Sequence, residues 1–559
     1  MSEGMDLHGR GGVGGHDPVE IRICTGSGCI ALGALDVFET LQAGADEEGA
    51  RLEVDSRPCI VGCRGFCSQG PLVYLPQFDL LYCRVQAVDV DEIVQHTLGR
   101  GKIVDRLLYQ DPVSGRRCRG LTDNPFFAGQ QRRVLARCGV VDPEDLDHAL
   151  ALGAYDSLRR SLLKHEPSAI IERVKRSGLQ ERGGSGFPVG LKWAVVAEAP
   201  ADTRYVVGNG EGGDPGLTVD RTLLEGDPHG VIEGMVIAGF AVSARQGRLF
   251  LRSEHSLGVA RARRAVAQAR RQGYLGSAIL GTAHDFEIEI CETAGASMGR
   301  EETALLNVLQ GRRGVARPRP PFPAVSGLWG RPTLINRLET LANIPLIMGS
   351  ETEPAGVPAA GTKVVGVTGA VSTTGLVEVP LGTTIQEIVN AIAGGCSDGE
   401  IAAVHLGGPG GATLGRDQLD TTIDFSSLRD QGAQLGSGGL LVLGGRNCPV
   451  ALARFFVAFC AEESCGTCPP CRIGTKVLLN LLDLIGSGAA AADDLVRLER
   501  LCQHIGKTSM CELGRDVSSS VISGLRNFRD AYESHLSGGG CPTRDCEAAP
   551  SGIPPGVSE

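Results

Sequence analysis

The chain has 559 residues, 42% of them hydrophobic, with 79 glycines and a formal charge of −11. The length predicts three to five domains of about 100–200 residues each, the acidic balance argues against a general nucleic-acid binder, and no run of about 18 apolar residues is available to span a membrane. Nineteen cysteines, behind a polar Gly-rich lead-in (residues 1–18) read as disordered and not as a signal peptide, point to a reducing, cytoplasmic setting and to metal centres instead of disulfides.

In chain order, a strand over 20–23 runs into Cys24-Thr25-Gly26-Ser27-Gly28-Cys29. Leu32, Leu35, Val37, Phe38 and Leu41 follow at near-helical spacing. A second pair, Cys63 and Cys67, precedes two antiparallel strands expected over 73–75 and 80–82 and a closing helix over 89–98. Four thiolates on two loops at the end of a small sheet can converge while staying near the surface, which electron exchange needs. Cys59 and Cys83 read as ordinary buried thiols. Helix signals at 142–147, 154–163 and 167–177 lead to Glu181-Arg182-Gly183-Gly184-Ser185-Gly186-Phe187-Pro188, then Lys192-Trp193. Glycines let a backbone approach a phosphate with its amides pointing at it, and Arg182 and Lys192 add positive charge.

A buried strand over 205–207 ends in a polar stretch that includes Asn209, Glu211 and Asp214, the position at which open α/β sheets bind ligands. Further strands are expected over 248–251 and 286–290, and helices over 231–243 and 257–272. Glu301 and Glu302 open another helix after Gly299-Arg300. Acids at a helix N-terminus are favoured by its dipole, which is a purely structural account of the pair. Residues 361–443 form a separate piece with strands over 364–367, 375–379 and 402–406 and a helix over 384–393. It ends in the Gly-rich stretch 436–445, read as a hinge.

Residues 463–474 then place Cys465, Cys468 and Cys471 at C-x2-C-x2-C spacing, with Gly and Pro residues that deny the segment a regular helix. Cys511, after a helical stretch over 495–502, is the best fourth ligand. Four cysteines so arranged suit a [4Fe-4S] cluster better than zinc, whose sites usually come as separated C-x2-C pairs. Near the end, Cys541 and Cys546 with His535 suggest a zinc site that borrows one more ligand, such as Cys460 or Cys502. The alternative is a pair of free tail thiols.

Residues 463–474 with Cys511, together with 320–330 and 223–235, resemble the NADH-binding flavoprotein subunit of respiratory complex I and the diaphorase subunits of soluble NAD-linked hydrogenases and formate dehydrogenases. The resemblance spans about 21–546. It implies an α/β multidomain chain: a thioredoxin-like [2Fe-2S] domain (19–103), a Rossmann-like FMN- and NADH-binding domain (104–347), a ubiquitin-like β-grasp, SLBB-like domain (361–443), a helical [4Fe-4S] domain (448–536) and a tail (537–559). It implies [2Fe-2S] on Cys24, Cys29, Cys63 and Cys67, and [4Fe-4S] on Cys465, Cys468, Cys471 and Cys511. The implied flavin shell is Arg182, Gly183, Gly184, Lys192, Asn209, Glu301 and Asn336. The implied nicotinamide side is Phe187, Asp214, Glu302, Arg319 and Phe322, with Glu302 and Asp214 as catalytic residues. The implied function is NAD(H) oxidation or reduction through FMN, coupled to iron–sulfur transfer in a hetero-oligomer with other iron–sulfur and catalytic subunits. The apolar segment 451–460 and the [2Fe-2S] domain face are candidate contacts.

Four positions depart from the family pattern, all on the flavin side. Glu181 replaces the first glycine of the Gly-rich loop, and Glu211-Gly212 replaces Asp-Glu after Asn209. Gly299-Arg300 replaces Cys-Gly before the paired acids, and Arg337 replaces the second Asn after Asn336. A glycine that admits a ligand cannot become Glu or Arg without filling space or moving the loop. The departures therefore support an alternative, a cluster-bearing electron-transfer scaffold with an impaired or remodelled flavin site, in which the new acids and bases pair across the pocket.

Overall fold

A computed structural model describes residues 18–52, 56–216, 218–294, 301–349, 361–536 and 540–546. The N-terminal lead-in, most of the tail, and Gly299 and Arg300 lie outside the described residues. Three larger sheets organise the rest. The first contains β1 (Val19–Cys24), β2 (Ser56–Val61), β3 (Val73–Leu75) and β4 (Leu80–Tyr82) in the order β2-β1-β3-β4. β1 runs parallel to β2 and antiparallel to β3. Ile21 and Ile23, two apart on one strand and so on one face, are both fully buried. The expected closing helix is a short α-turn, Val90–Glu92, that continues as a π-helix over Ile93–Leu98.

A small hairpin that the sequence reading omits, β5 (Tyr109–Gln110) and β6 (Arg117–Cys118), leads out of this unit. The second sheet comprises β7 (Tyr205–Gly210), β8 (Gln246–Arg252), β9 (Glu287–Thr293) and β10 (Thr333–Arg337), ordered β10-β7-β8-β9 with every neighbour parallel. Its helices include α1 (Pro228–Ala241), α2 (Ser256–Arg271), α3 (Glu302–Leu309) and α4 (Leu338–Gly349). α1 is apolar almost all round and lies in the interior, as such helices must. It crosses α4 so closely that a Cβ on Gly234 would stand 2.1 Å from the Leu341 carbonyl oxygen. Because β8 and β10 flank β7 on opposite sides, the chain order reverses at β7. The carboxyl ends of β7 and β10 therefore open a crevice of the kind that binds ligands.

The third sheet contains β11 (Thr362–Gly369), β12 (Gly375–Pro380), β13 (Ile401–Leu406), β14 (Ala412–Gly415) and β15 (Gly439–Gly444), ordered β12-β11-β15-β13-β14. The Gly-rich stretch read as a hinge is thus no hinge. It contains the central strand, paired parallel to β11 and antiparallel to β13. The apolar core Leu440-Leu441-Val442-Leu443 outweighs the flanking glycines, as expected of a strand covered on both faces.

Four longer helices follow among the described residues: α5 (Pro449–Glu462), α6 (Gly474–Gly486), α7 (Ala492–Thr508) and α8 (Glu512–Asn527), with two short ones over Pro469–Arg472 and Arg529–Glu533. In α5, Ala451, Ala453, Phe456, Val457 and Cys460 are buried. The apolar segment expected to meet a partner instead fills this chain's own core. The first and third sheets share one hydrophobic core. Phe66 packs against Phe126 and Tyr109 at centroid distances of 4.5 and 5.1 Å, and the Leu376 N–H donates to the Gly65 carbonyl at 2.7 Å.

Candidate functional site

A cavity of about 410 Å³ opens at the β7/β10 crevice. The Gly-rich loop forms one wall, where Gly184 and Gly186 have φ of +119° and +61°. Gly183 lies so close to Arg337 that a Cβ there would meet the Arg337 Cγ at 2.6 Å. Asn209 enters from β7 and Asn336 from β10, and Lys192, Phe187, Glu302, Arg319 and Phe322 are also among the lining residues. Phe187 and Phe322 are 47% and 55% exposed, two aromatic faces able to stack on a planar ring.

One end of the cavity is built around Glu181. Its buried carboxylate accepts from the Arg337 backbone N–H at 3.0 Å, the Thr340 hydroxyl at 2.6 Å and the Asn336 amide at 2.5 Å. The Lys192 Nζ stands 3.4 Å away. Burial pushes this carboxyl up, but Lys192 and the three hydrogen bonds outweigh it, and the net shift is downward. Glu181 is therefore held as an anion. Lys192 also donates to Glu302 at 3.0 Å and to the Ile335 carbonyl at 2.8 Å. The Asn336 Oδ1 accepts from the Trp193 indole at 3.0 Å.

Among the described residues, Glu181 and Arg337 do not pair side chain to side chain, and Arg300 lies outside those residues. The Arg337 guanidinium turns to Asp220 and to the Glu211 carbonyl, the latter at 3.0 Å. A Cβ on Gly212 would come within 2.6 Å of an Asp220 carboxylate oxygen, so the absence of a side chain at Gly212 leaves room for this pair.

Other expected residues lie elsewhere. Glu301 caps α3, accepting from the N–H groups of Thr303 and Ala304 at 3.0 and 2.9 Å, while its neighbour Glu302 faces the cavity. The dipole account fits both acids, since Glu302 stands in the first turn of α3, but only Glu302 is also presented to the cavity. Arg319 joins Glu301, Glu302 and Glu512 at 3.6, 3.8 and 3.5 Å. Arg182 is not among the cavity's lining residues. It is buried with its guanidinium 3.4 Å from where a Gly361 Cβ would lie, toward the third sheet, because the loop turns it away from the crevice. Asp214 lines a neighbouring cavity that shares Gly183, Ser185 and Glu512 with the first and also holds Gly184.

Eleven of the nineteen cysteines fall into three groups. The Cys24 thiol is in hydrogen-bonding contact with those of Cys29 and Cys63, and Cys63 with Cys67. The Cys24–Cys29 loop is pinned to the second sheet's layer by Ser27 N–H donating to Glu225 at 2.9 Å and Arg261 donating to the Thr25 carbonyl at 3.0 Å. Cys465, Cys468 and Cys471 lie on one short turn and Cys511 at the N-cap of α8, so that a helix N-terminus faces the group, which favours anionic thiolates.

The third group is Cys448, His535, Cys541 and Cys546, whose ligand atoms all lie within 4.8 Å of one another. The residue that joins His535, Cys541 and Cys546 is Cys448, not the expected Cys460 or Cys502. Both of those are fully buried inside the helical core. Cys448 carries no motif in the sequence, because it reaches the group from the N-cap of α5, far from the tail in the chain. The His535 Nδ1 sits 2.6 Å from the Ala531 carbonyl, which turns Nε2 toward the thiols.

Comparisons with known proteins bear on the crevice and on the group that holds Cys465, Cys468, Cys471 and Cys511. Residues 174–346 match the Nuo51 FMN-binding domain, and residues 451–535 match the NADH-ubiquinone oxidoreductase-F iron–sulfur binding region. The chain is 42% identical over 425 residues to the HndC subunit of the NADP-reducing hydrogenase of Solidesulfovibrio fructosivorans, covering 75% of this chain and 86% of that one. It is 37% identical over 414 residues to an NADH-quinone oxidoreductase subunit of Rhizobium meliloti, covering 73% and 98%. It is 38% identical over 401 residues to the corresponding NADH-quinone oxidoreductase subunit of Escherichia coli, covering 70% and 90%. Among solved structures, a chain of the NAD+-reducing [NiFe]-hydrogenase in the H2-reduced state superposes with a TM-score of 0.65 at 26% identity, covering 93% of this chain and 85% of that one.

Proposed function

We propose, from the premise that this chain belongs to the family of NADH-quinone oxidoreductase subunits built on the Nuo51 FMN-binding domain, that it is an electron-transfer subunit of a multimeric oxidoreductase, exchanging electrons between NAD(H) and iron–sulfur clusters through FMN. The observation that carries this reading is the crevice at the β7/β10 switch point, with two exposed aromatic rings at its mouth and a cysteine tetrad at the N-terminus of the helix that also supplies Glu512 to its lining. When bound, FMN would convert a two-electron hydride into single-electron steps that clusters can accept. In this chain Phe187 and Phe322 would stack on planar rings, Arg319 and Glu302 would orient the nicotinamide side, and Asp214 would act from the adjoining cavity.

The β2-β1-β3-β4 sheet with its two cysteine loops supports a thioredoxin-like [2Fe-2S] domain, the four-stranded parallel sheet a Rossmann-like domain, and the five-stranded sheet a β-grasp domain. The Cys448 tetrad suits zinc, which takes Cys3His sets in structural sites. No helix among the described residues is long and apolar enough to cross a membrane. Nineteen free cysteines support a cytoplasmic setting. Partners would be other iron–sulfur and catalytic subunits, a reading supported by relatives that are named as subunits of a hydrogenase and of NADH-quinone oxidoreductases.

A second reading, clusters without flavin chemistry, is favoured by one observation: the Glu181 carboxylate at the end of the cavity. Anaerobic addition of NADH to the purified protein separates the two. Bleaching of the cluster absorbance by NADH is expected. Clusters reduced by dithionite but untouched by NADH would refute the NAD(H) reading and leave the second.

A further inference from the structure

Resting on the reading of this cavity as a flavin site, we infer that Glu181 is a built-in anion occupying the place of a ligand phosphate, so that this chain holds a flavin by its ring and not by its 5′-phosphate. The donors that converge on Glu181 are a backbone N–H, a side-chain amide, a hydroxyl and a lysine ammonium. Donors of these kinds, supplied by Asn336, Arg337, Thr340 and Lys192 opposite the glycine-rich loop, would equally serve a phosphomonoester. Here each donor already serves a carboxylate that belongs to the chain.

The charges around the cavity lead to the same result. Among the described residues the cations lining it are Lys192, Arg319 and Arg337. Lys192 faces Glu181 and Glu302, Arg319 faces Glu301, Glu302 and Glu512, and Arg337 faces Asp220. A phosphate dianion entering at this end would find every one of these cations already paired with a carboxylate, and a buried carboxylate beside it. Like charges in a site of this kind disfavour each other strongly. Space is closed as well as charge: the Arg337 side chain lies across Gly183, the point at which the loop would approach a ligand. Phe187 and Phe322 still expose ring surface on which a flavin ring can stack, Phe322 with the Arg319 guanidinium 5.9 Å from its centroid.

The test compares FMN with riboflavin, which carries the same ring without the phosphate. Binding to the full chain is followed by quenching of flavin fluorescence. In the wild-type protein the two ligands should bind alike, within about threefold. In Glu181→Gln, which keeps the shape and removes the charge, and in Glu181→Gly, which also opens the seat, FMN should gain over riboflavin by about tenfold or more. Riboflavin affinity in the same samples reports whether each variant keeps its pocket. A wild-type protein that prefers FMN by a large factor overturns the inference, and so does a ratio unchanged in both variants or the loss of both ligands from both. Failure of the NAD(H) reading would appear elsewhere, as bound flavin that NADH does not bleach.

Discussion

At the scale of single residues, burial decides what an acidic side chain can do. Glu211 is fully buried, with Arg252 at 3.6 Å. Burial pushes its carboxyl up to about 7, against the opposing pull of Arg252 and Arg337. The folded protein therefore holds this proton more tightly than the unfolded chain, whose glutamates titrate near 4.3. The stability that the protonated form contributes is complete below about pH 4.3 and is lost as pH rises to about 7. Glu211→Gln should flatten that decline, read as denaturation midpoints across the range. Glu233, also near 7, keeps part of the slope in the variant. A decline of undiminished steepness would show that Glu211 does not titrate in this window. Glu181 shows the opposite outcome of equal burial, because four donors surround it and hold it charged.

At the scale of elements, two side chains bind segments that no local pattern joins. Glu378, on β12, accepts from the N–H groups of Arg133, Val134 and Leu135 at 2.8, 3.0 and 2.9 Å, fastening the connector to the third sheet. Glu378→Ala leaves those buried donors without their acceptor and should destabilise the protein by about 3 kcal/mol. Chemical denaturation measures it, and a loss below about 1 kcal/mol would mean that water replaces the carboxylate. The Cys448 tetrad fastens the tail to the start of α5. Cys448→Ala should lower zinc from about one per chain to near zero while iron is retained, since structural zinc sites need their full ligand set. Elemental analysis of both metals checks this, and zinc that persists in the variant would reject Cys448 as a ligand.

For the whole molecule, the arrangement of layers fixes where the first cysteine group lies. The Gly62–Cys67 loop is wedged against β12 and the Cys24–Cys29 loop is held by Glu225 and Arg261, so the first tetrad sits between the second and third layers. Two clusters predict about six irons per chain, two in the first and four in the second. Cys63→Ser should reduce the count to about four and abolish only the [2Fe-2S] signal in the EPR spectrum of the reduced protein. Loss of both signals would mean that the second cluster depends on the first tetrad for its assembly.

Much of this was legible in the sequence, because it rests on local chemistry. Cysteine spacing, strands such as 205–207 and 248–251, and the helix over 231–243 follow from periodicity and from residues adjacent in the chain. The four departures at 181, 211–212, 299–300 and 337 were visible as residue types. Their consequences were not, since charge pairing depends on which groups meet across the crevice. Arg337 takes Asp220 as its partner, and Glu181 takes a backbone N–H, a hydroxyl, an amide and Lys192. Tertiary packing likewise made a central strand of the stretch read as a hinge, turned 451–460 inward and brought Cys448 to His535, Cys541 and Cys546. Composition and spacing describe what a segment can form alone, whereas burial and partnership are set by surfaces that meet only after the chain has folded.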